Sequence, residues 1–359
     1  MDLCGEELLA HAPPRSHFER LLPPWQRRFT RIPVLGRRGI AFNADRLWNR
    51  FRNYPRFARR HQGRFDLFHI VDHSYAQLVH AIPTGHSGVY CHDLDAFRCL
   101  LEPHLEPRPG WYRSLSRKIL TGLQSAAIVF HNSQQTRDQI LKYGLVDPAK
   151  LIHAPLGVAA EFTKTASANP PTWLASLQNR PWLLHVGSCI PRKRIDVLLE
   201  LLAEVRTRLP NLQLLKIGGT FTVEQQQLIE QRKLREAIVH VTDVDRSDLA
   251  AAYRAAPLVV IPSESEGFGL PALEALACEA KVLASDIPAL REAGGDAARY
   301  ASVGDIAAWT ESMLMAFANP ESWPSPQSRA EHAAKFSWAA HAETITTAYE
   351  NLMARGTPT

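Results

Sequence analysis

The stretch Pro262–Glu279, PSESEGFGLPALEALACE, decides how the C-terminal half of this chain folds. It follows an apolar run typical of a buried β-strand and passes into a run with helical spacing, so it predicts a strand, a glycine loop and a helix. Pro271 suits the first turn of that helix, where unpaired backbone N–H groups and the helix dipole favour an anion. Gly267 and Gly269 lack the side chains that would hold a ligand away from the backbone.

Two glutamates of this stretch, Glu266 and Glu274, stand eight residues apart around the glycine loop. One carboxylate would lie in the loop and the other in the first turn of the helix. Together they favour a pocket for a ligand that carries both phosphate and hydroxyl groups. The alternative is an ordinary strand–loop–helix connection with acidic residues near the helix N-terminus.

A second loop, within His185–Asp196 (HVGSCIPRKRID), carries positive charge that such a ligand could use. A predicted strand runs into Gly187, and three successive cations, Arg192, Lys193 and Arg194, precede the next helix. Their mutual repulsion is costly unless an anion or a carboxylate lies nearby. The planar arginine fork and the lysine point charge both suit a diphosphate, whereas a solvated cationic loop is the alternative.

Short apolar runs alternate with helical segments along the chain, which predicts parallel sheets covered on both faces. Ligands of such sheets bind at the carboxyl ends of the strands. The predicted strands of the N-terminal half are Leu67–Val71, Gly88–Cys91, Ala127–His131 and Leu151–Ala154. Those of the C-terminal half are Trp182–Val186, Gln213–Ile217, Ile238–Val241, Leu258–Ile261, Val282–Ser285 and Arg299–Ala301.

Helical spacing predicts helices over Tyr112–Leu123, Ile195–Arg206 and Ala339–Met353. Between the two halves, Thr163–Pro171 is polar and ends in prolines, which indicates a hinge or linker. The chain of 359 residues is long for one hydrophobic core and suits two domains.

The composition is that of a globular protein, with 45% hydrophobic and 21% charged residues. No run approaches the length of about 18 apolar residues that a transmembrane helix needs. The start, MDLCGEELLAHAPP, does not have the pattern of a secretory signal. Five scattered cysteines without a CxxC or Cys/His cluster indicate reduced thiols and argue against a structural zinc site.

Arginine is concentrated at the front of the chain. Residues 1–60 hold thirteen Arg and no Lys against five Asp and Glu, whereas the whole chain has a net charge of +5. A one-sided arginine surface could meet anionic lipid, an anionic saccharide or nucleic acid, and a solvated basic face is the alternative. No RNA-binding or DNA-reading signature accompanies it, so we expect no nucleic-acid partner.

The N-terminal half offers His92, Asp93 and Asp95 directly after a predicted strand, and His73 within IVDHS. A histidine at the carboxyl end of a strand can face a cleft, although a lone histidine is more often a structural residue. No metal-ligand spacing accompanies them, so we expect no metal site. The sequence also lacks GxGxxG, GxxxxGK[ST] and the GxSxG elbow, which argues against nicotinamide dehydrogenases and P-loop NTPases.

Taken together, these residues make most of the chain resemble the retaining GT-B glycosyltransferases of family 4. The match is most specific over Glu266–Glu274, which repeats that family's E-x7-E motif in its EGFGLP context. The other similar elements are weaker individually: Gly187 with Arg192–Lys193 (the donor-phosphate loop), Ile217–Gly219 (the following strand), Pro155–Val158 (the interdomain P-x-G-V element), His92–Asp93 (the acceptor-side HD) and Phe336–Trp338 (the turn before the last helix).

The resemblance implies an α/β protein with two Rossmann-like parallel-sheet domains that face a cleft. We expect an N-terminal acceptor-side domain over residues 1–165 and a C-terminal nucleotide-sugar-binding domain over 172–336. The C-terminal helix, 337–359, would return to the N-terminal domain. The chain begins at what resembles the family's first helix, so the N-terminal domain is expected to lack its first strand and the glycine-rich loop that follows it.

The resemblance also implies roles for individual residues. Glu274 would bind the ribose hydroxyls and Glu266 would face the donor sugar, which His92 would contact from across the cleft. Lys193 and Arg192 would offset the charge that builds on the departing diphosphate. The other donor-binding residues would be Gly187, Gly267, Phe268, Gly269 and Leu270, with backbone N–H groups around Phe268–Leu270 taking sugar oxygens and phosphate.

Two positions depart from the family pattern. Ser188 stands where many members carry an arginine, so one phosphate contact would be absent or moved to a neighbouring arginine. Arg194 occupies a position that is often glycine.

The expected activity is retaining transfer of a hexosyl group from a UDP- or GDP-linked sugar to a saccharide or lipid-linked saccharide, in polysaccharide or glycoconjugate synthesis. The nucleotide sugar would be a substrate, with no cofactor and no metal ion. We expect a cytoplasmic location with peripheral membrane contact through the arginine-rich N-terminal domain. The alternatives are a degenerate homologue that binds nucleotide sugar without turnover and a GT-B sugar-nucleotide epimerase.

Overall fold

The computed structural model describes residues 2–32, 39–162, 171–177 and 180–355. The chain forms two compact units. Unit 1 comprises Met1–Pro155 together with Ala339–Thr359, and unit 2 comprises Leu156–Trp338. Residues 163–170, most of the predicted linker, lie outside the described residues.

Each unit contains one sheet, and every strand pair found in the described residues is parallel. The strands of unit 1 are β1 Phe68–Ile70, β2 Ser87–Cys91, β3 Ile128–His131 and β4 Leu151–His153, which lie in sequence order. Those of unit 2 are β5 Trp182–Val186, β6 Gln213–Ile217, β7 Ile238–Val241, β8 Val259–Ile261, β9 Val282–Ser285 and β10 Arg299–Ala301. Their order in the sheet is β10-β9-β8-β5-β6-β7. The predicted α/β class with two parallel sheets is therefore confirmed.

Helices follow most of the strands, as parallel pairing requires. The α-helices are α1 Asp2–Ala10, α2 Gly39–Trp48, α3 Tyr54–His61, α4 Arg98–Leu101, α5 Gly110–Ser125, α6 Gln134–Lys142, α7 Ile195–Arg206, α8 Val223–Gln231, α9 Arg246–Ala255, α10 Leu270–Ala277, α11 Pro288–Gly294, α12 Ile306–Ala318, α13 Pro326–Ala333 and α14 Trp338–Ala354. Single-turn 3-10 segments connect several of them, and a longer one spans His73–Ala81. A short π-helical segment, Asn49–Asn53, joins α2 to α3.

The sheet of unit 2 is covered on both faces, which explains why its strands are continuous apolar runs. All five residues of β6 are buried, and α7 buries seven of its twelve residues. Leu198 and Leu202 of α7 share a core cluster with Leu183 and Leu214. Because its strands are parallel, their carboxyl ends and the loops that follow them lie at the same end of the sheet.

In unit 1, the C-terminal helix α14 packs on the sheet. Tyr349 lies so close to β2 that a Cβ placed on Gly88 would stand 2.1 Å from its hydroxyl oxygen. The same hydroxyl lies 2.7 Å from Nδ1 of His69, and Arg15 pairs with Glu343 of α14. Within the described part of unit 1, α1 precedes the four strands and no strand comes before β1.

The two places where the chain crosses between the units contact each other inside unit 2. Val158 donates its amide to the carbonyl of Phe336 at 3.1 Å. A Cβ on Gly157 would stand 2.2 Å from the amide nitrogen of Trp338, so only glycine fits there. The P-x-G-V element and the turn before α14 thus form one junction.

No helix in the described ranges is both long and apolar enough to cross a lipid bilayer.

Candidate functional site

The loop between β8 and α10 has the conformation that the sequence predicts. Gly269 takes a φ of 97° as the residue before α10, and Pro271 lies in the first turn of that helix. A Cβ on Gly269 would stand 3.0 Å from Cδ2 of Leu290 and 3.2 Å from Cβ of Ala293. Glycine is therefore required both by the backbone and by the packing. The turn brings the helix N-terminus to the carboxyl end of β8.

Glu266 is the centre of a buried charged cluster in this loop. Its Oε1 accepts from Nζ of Lys193 at 2.5 Å and from the hydroxyl of Ser263 at 2.7 Å. Its Oε2 accepts from a guanidinium nitrogen of Arg192 at 3.2 Å. Glu266 is 6% exposed and Lys193 8% exposed. In the absence of a ligand, the carboxylate balances cations that would otherwise be buried and unpaired.

The carbonyl oxygens of the two loops reinforce this cluster. Arg192 donates to the carbonyl of Ser265 at 3.0 Å, and Glu264 donates its amide to the carbonyl of Arg192 at 2.9 Å. The loop after β5 and the loop after β8 are therefore one hydrogen-bonded structure. The prediction that the two loops act together is consistent with these contacts, and a simple solvated cationic loop is wrong for Lys193.

Arg194 differs from its two neighbours because its carboxylate partners are Asp196 and Glu264 and not Glu266. It pairs with Asp196 at 3.0 Å and lies 3.5 Å from a carboxylate oxygen of Glu264. Its φ of 49° is in the left-handed region, which accounts for the frequent glycine at this position of the family. Each of the three cations has a carboxylate partner, as their mutual repulsion demands.

Glu274 lies in α10 and is 8% exposed. The hydroxyl of Tyr253 donates to its Oε2 at 3.2 Å. Burial raises the pKa of Glu274 to about 8, against the lowering effects of that hydrogen bond and of the charge on Arg246. A buried carboxyl with a raised pKa is common at functional sites.

Backbone donors remain at the start of α10. The amides of Phe268, Gly269 and Leu270 have no hydrogen-bond acceptor among the residues that the structure describes. The side chain of Phe268 is 3% exposed and contacts the ring of Phe336 edge-on at 5.9 Å. Phe268 thus anchors the loop through its side chain and can offer only its backbone to a ligand. Gly267 carries no side chain and leads into this turn.

Two buried basic residues of unit 2 were not predicted from the sequence as site residues. They are His185 of β5 and Lys216 of β6, which are register partners on adjacent strands. His185 donates from Nδ1 to the carbonyl of Val260 at 2.9 Å, so its Nε2 is the unprotonated nitrogen. Burial, and then the charge of Lys216, lower the pKa of His185 to about 3. A lysine inside the apolar run QLLKI was the signal that could have drawn notice.

Gly187, at the end of β5, lies beside this pair. A Cβ on it would stand 3.6 Å from Nε2 of His185 and 3.8 Å from Cε of Lys193. Its carbonyl accepts from Nζ of Lys216 at 2.7 Å. Five of the predicted positions, Gly187, Arg192, Lys193, Glu266 and Glu274, therefore lie on the carboxyl-end loops of one sheet or on the helix that follows.

The predicted N-terminal candidates belong to unit 1. His92 is partly buried and lies 2.8 Å from the carbonyl of Val71 through Nε2, and its amide donates to Nδ1 of His73 at 3.3 Å. Burial lowers the pKa of His92. His73 is buried within reach of Asp72 and Asp93, at 3.7 and 3.6 Å. His92 and His73 thus support each other, and both have structural partners.

Asp95 begins a single 3-10 turn, where its amide donates to the carboxylate of Asp93 at 3.0 Å. Across the described ranges, no group of three His, Cys, Asp or Glu side chains has the arrangement of a metal site.

Comparison with known proteins supplies the family. Residues 174–335 match the family described as "Glycosyl transferases group 1", and residues 7–162 match "Glycosyltransferase Family 4". Over 241 residues, 65% of the chain, it is 29% identical to the O-antigen chain mannosyltransferase B of Escherichia coli. The aligned region spans 61% of that relative's length.

Solved structures show the same fold. Sucrose-phosphate synthase from Thermosynechococcus elongatus superposes with a TM-score of 0.70 at 21% identity, over 87% of this chain and 80% of that one. Anabaena Alr3699/HepE, solved in complex with UDP and glucose, gives a TM-score of 0.69 at 16% identity, over 85% and 82% of the two chains. The E-x7-E loop, the two parallel sheets and the two family matches agree, and the chain belongs to the GT-B glycosyltransferases of group 1, family 4.

Proposed function

We propose that this protein transfers a hexosyl group, with retention at the anomeric carbon, from a UDP- or GDP-linked sugar to a saccharide or lipid-linked saccharide. Such a step belongs to polysaccharide or glycoconjugate synthesis. The observation that carries the proposal is the buried contact of Lys193 and Arg192 with Glu266, beside unpaired amides at the N-terminus of α10. Mannosyl transfer by the Escherichia coli relative and the UDP and glucose bound to Alr3699/HepE support a nucleotide-sugar donor.

The charges of the cluster suggest how it would work. Lys193 and Arg192 would meet the diphosphate, whose negative charge grows as the bond to the sugar breaks, and Glu266 would hold both cations in place. The amides at Phe268–Leu270 would donate to sugar oxygens or phosphate, as helix N-termini do. Glu274 would take the ribose hydroxyls. His92 of unit 1 would contact the sugar.

Labelled UDP- and GDP-sugars test this proposal. We expect one donor to give saturation-transfer signals, to hydrolyse slowly in water and to pass its sugar to an added saccharide or lipid-linked saccharide. Binding without hydrolysis or transfer would instead indicate a degenerate homologue. Conversion of the donor to an isomeric nucleotide sugar would indicate an epimerase.

We also propose that unit 1 contacts anionic membranes, as a lipid-linked acceptor would require. Arg59 and Arg60 of α3 are exposed, and Trp25 stacks on Phe42 of α2 with ring centroids 5.6 Å apart. Both aromatic rings are substantially exposed, Trp25 at 41% and Phe42 at 55%. Basic side chains beside exposed aromatic and aliphatic groups suit the headgroup region of a bilayer. The other basic residues proposed for this surface are Arg27, Arg28, Arg56, Arg113, Arg117 and Lys118.

Asp45 of α2 fixes the part of this surface that contains Arg28. Its carboxylate accepts from the amides of Arg28 and Phe29, both at 2.8 Å, and from the amide and hydroxyl of Thr30. Desolvation opposes the charged form, but these hydrogen bonds outweigh it and hold the pKa of Asp45 well below its usual value. The carboxylate therefore fixes the segment around Arg28 against α2.

Co-sedimentation with phosphatidylglycerol vesicles at low and high salt tests the membrane contact. Attraction of about 1 kcal/mol per basic residue fades within roughly 8 Å at physiological salt, so binding should be reversible and salt-sensitive. Reversing Arg59 and Arg60 to Glu should weaken it. The same reversal of Arg232 and Arg235 in unit 2 changes the net charge equally and should not. No sedimentation at low salt would leave the arginines as a solvated face.

A further inference from the structure

Lys216 is the most unusual side chain of unit 2. It is the fourth of the five residues of the buried strand β6, next to the carboxyl end of the strand, and is 0% exposed. Its Nζ donates to the carbonyl of Gly187 at 2.7 Å, to that of Ile217 at 3.1 Å and to that of Gly218. Carbonyl oxygens only accept, so three such contacts use the three N–H donors of a protonated ammonium.

This ammonium has no carboxylate among its hydrogen-bond partners. Burial lowers the pKa of Lys216, against a raising effect of the neighbouring Cys189, and the charge of Lys193 also lowers it. His185, the register partner of Lys216 on the adjacent strand β5, is neutral because its pKa is lowered, and it supplies no negative charge. Buried charges in proteins are normally paired, so an unpaired cation at this edge of the sheet indicates that an anion completes the arrangement.

The three carbonyls divide into two kinds. The peptide that contains the carbonyl of Ile217 has its N–H on Gly218, and that N–H donates to Val241 of β7 at 2.8 Å. The peptides of the other two carbonyls have their N–H groups on Ser188 and Gly219. Neither of these amides donates to any residue that the structure describes.

Peptide geometry fixes the direction of those two amides. In a trans peptide the N–H points opposite to the C=O. Because the carbonyls of Gly187 and Gly218 point to the buried Nζ, the N–H groups of Ser188 and Gly219 point away from it, towards the loop surface. Ser188 is exposed and Gly219 partly exposed, so a ligand can reach both.

The two amides belong to loops that contact each other. Gly218 and Gly219 have φ values of 78° and 58°, in the left-handed region. A Cβ on Gly219 would stand 2.7 Å from both the Cα of Ser188 and the amide nitrogen of Cys189. Glycine at position 219 is therefore required both by the left-handed turn and by this close approach.

We infer that Lys216 is a positioning residue for a diphosphate: it pins the loops after β5 and β6 so that the amides of Ser188 and Gly219 donate to phosphate oxygens. This inference rests on the proposed function and adds two donors and one buried charge to the donor site. Lys216 would also replace the arginine that many family members carry at position 188, because its buried ammonium brings a positive charge to the same loop through the carbonyl of Gly187.

The test compares Lys216→Met with wild type, using UDP, GDP, uridine, guanosine and inorganic pyrophosphate as ligands. Lys281→Met is the matched control, because Lys281 also donates to a carbonyl, that of Ala316 at 3.0 Å, but precedes β9 at the amino edge of the sheet. Calorimetric titration should show about tenfold weaker binding of the nucleoside diphosphate by Lys216→Met, the value of one charge-assisted hydrogen bond. Nucleoside affinity should be unchanged.

A measurement on the wild type keeps the inference testable if Lys216→Met fails to fold. In amide NMR spectra, pyrophosphate should shift the protons of Ser188 and Gly219 downfield, as new hydrogen bonds do. Nucleotide binding without shifts at these two amides, or with equal diphosphate affinity in a folded Lys216→Met, would overturn the inference and leave the proposed function standing.

The reverse outcome is also distinct. Pyrophosphate shifts at both amides, with no binding of UDP or GDP, would support the inference and contradict the proposed donor. No response to any of the five ligands would contradict both.

Discussion

Among the described residues, the two units differ in the basic side chains that they bury: unit 2 buries lysines and an arginine as well as His185, whereas those of unit 1 are histidines. Unit 2 buries Lys193, Glu266 and Lys216 with hydrogen-bond partners suited to their charged forms, at one edge of its sheet. Unit 1 buries His73, His131 and His341, and burial lowers the pKa of His341 of α14 to about 4, which favours its neutral form. Its buried carboxylate Asp45 is held in the charged form by hydrogen bonds to backbone amides. A charge in the interior is costly, so a fold retains it where hydrogen bonds satisfy it, as at Asp45, or where a ligand needs it. We therefore expect the cationic contacts with the donor diphosphate in unit 2.

The largest expected effect concerns Lys193. Replacing it with Met should lower transfer by about 100- to 1,000-fold, the range typical for loss of a charge-stabilising contact in the transition state. The measurement is turnover of the donor found in the sugar panel. The variant also leaves the buried Glu266 short of a partner, which should cost stability.

A double variant separates these two effects. In Lys193→Met/Glu266→Gln, the buried carboxylate is removed together with its cation, so thermal stability should recover towards that of wild type while transfer stays low. Recovery of transfer along with stability would show that Lys193 has only a structural role. Glu266→Gln alone should lower turnover more than donor affinity, since the proposed role of Glu266 is to hold the two cations that would meet the departing diphosphate.

The histidines of unit 1 predict loss of stability in acid. His341 is 3% exposed and donates from Nδ1 to the carbonyl of Pro155 at 2.9 Å, and burial lowers its pKa to about 4. The ordinary value is 6.5, so the unfolded chain binds a proton first as the pH falls below 6.5. At pH 5 the loss from this one group is about 2 kcal/mol, and it grows until the pH passes the folded pKa.

Hydrogen exchange along α14 between pH 7 and 5, corrected for intrinsic rates, measures this effect. His341→Gln keeps a donor for the carbonyl and should flatten the pH dependence, whereas His104→Gln at an exposed site should not. An unchanged pH dependence in His341→Gln would mean that another group loosens the helix.

A smaller effect is expected at Glu274, whose pKa is raised to about 8 by burial. The carboxylate accepts from ribose hydroxyls more strongly than the protonated form, so donor affinity should rise as the pH increases through 8. Calorimetry at pH 7 and 9 should show a gain of up to about tenfold. Glu274→Gln should bind donor more weakly and without this pH dependence. A pH response retained in Glu274→Gln would assign the titration to another group.

The smallest expected effect is that of a chelator. Charge compensation is assigned here to Lys193, Arg192 and backbone amides, so EDTA should change transfer little. If EDTA abolished transfer and manganese restored it, the assignment of that role to side chains would be wrong.

The sequence predicted most of this fold because buried parallel strands are continuous apolar runs. β5, β6, β7, β9 and β10 have the predicted bounds; β2, β3, β4 and β8 differ by one residue at one end, and β1 is one residue shorter at each end. The C-terminal helix was placed within one residue at each end. The sequence did not predict helices α2 and α3, because arginines and aromatic residues there follow no clear helical spacing. The segment around Arg28 is held against α2 by the buried carboxylate of Asp45.

The site was predictable in part for a related reason. Glycines and cations cluster around Glu266 in the sequence itself, so the two loops were found. The contact of Lys193 with Glu266 joins residues 73 apart and depends on β5 and β8 lying side by side. Lys216 was missed because its ammonium donates to carbonyls at the carboxyl ends of β6 and of the neighbouring strand β5. The sequence alone does not show that these two strands are neighbours.

One measurement tests the contrast between the units most directly: hydrogen exchange of the whole chain, by mass spectrometry, with and without UDP or GDP. UDP and GDP carry no sugar, so we expect the bound nucleotide to slow hydrogen exchange at residues 187–194, 218–219 and 266–274. Exchange at residues 69–92 and 338–354 should be unchanged. Protection confined to the histidine-bearing segments of unit 1, or no protection by either nucleotide, would contradict the assignment of the charged cluster to donor binding.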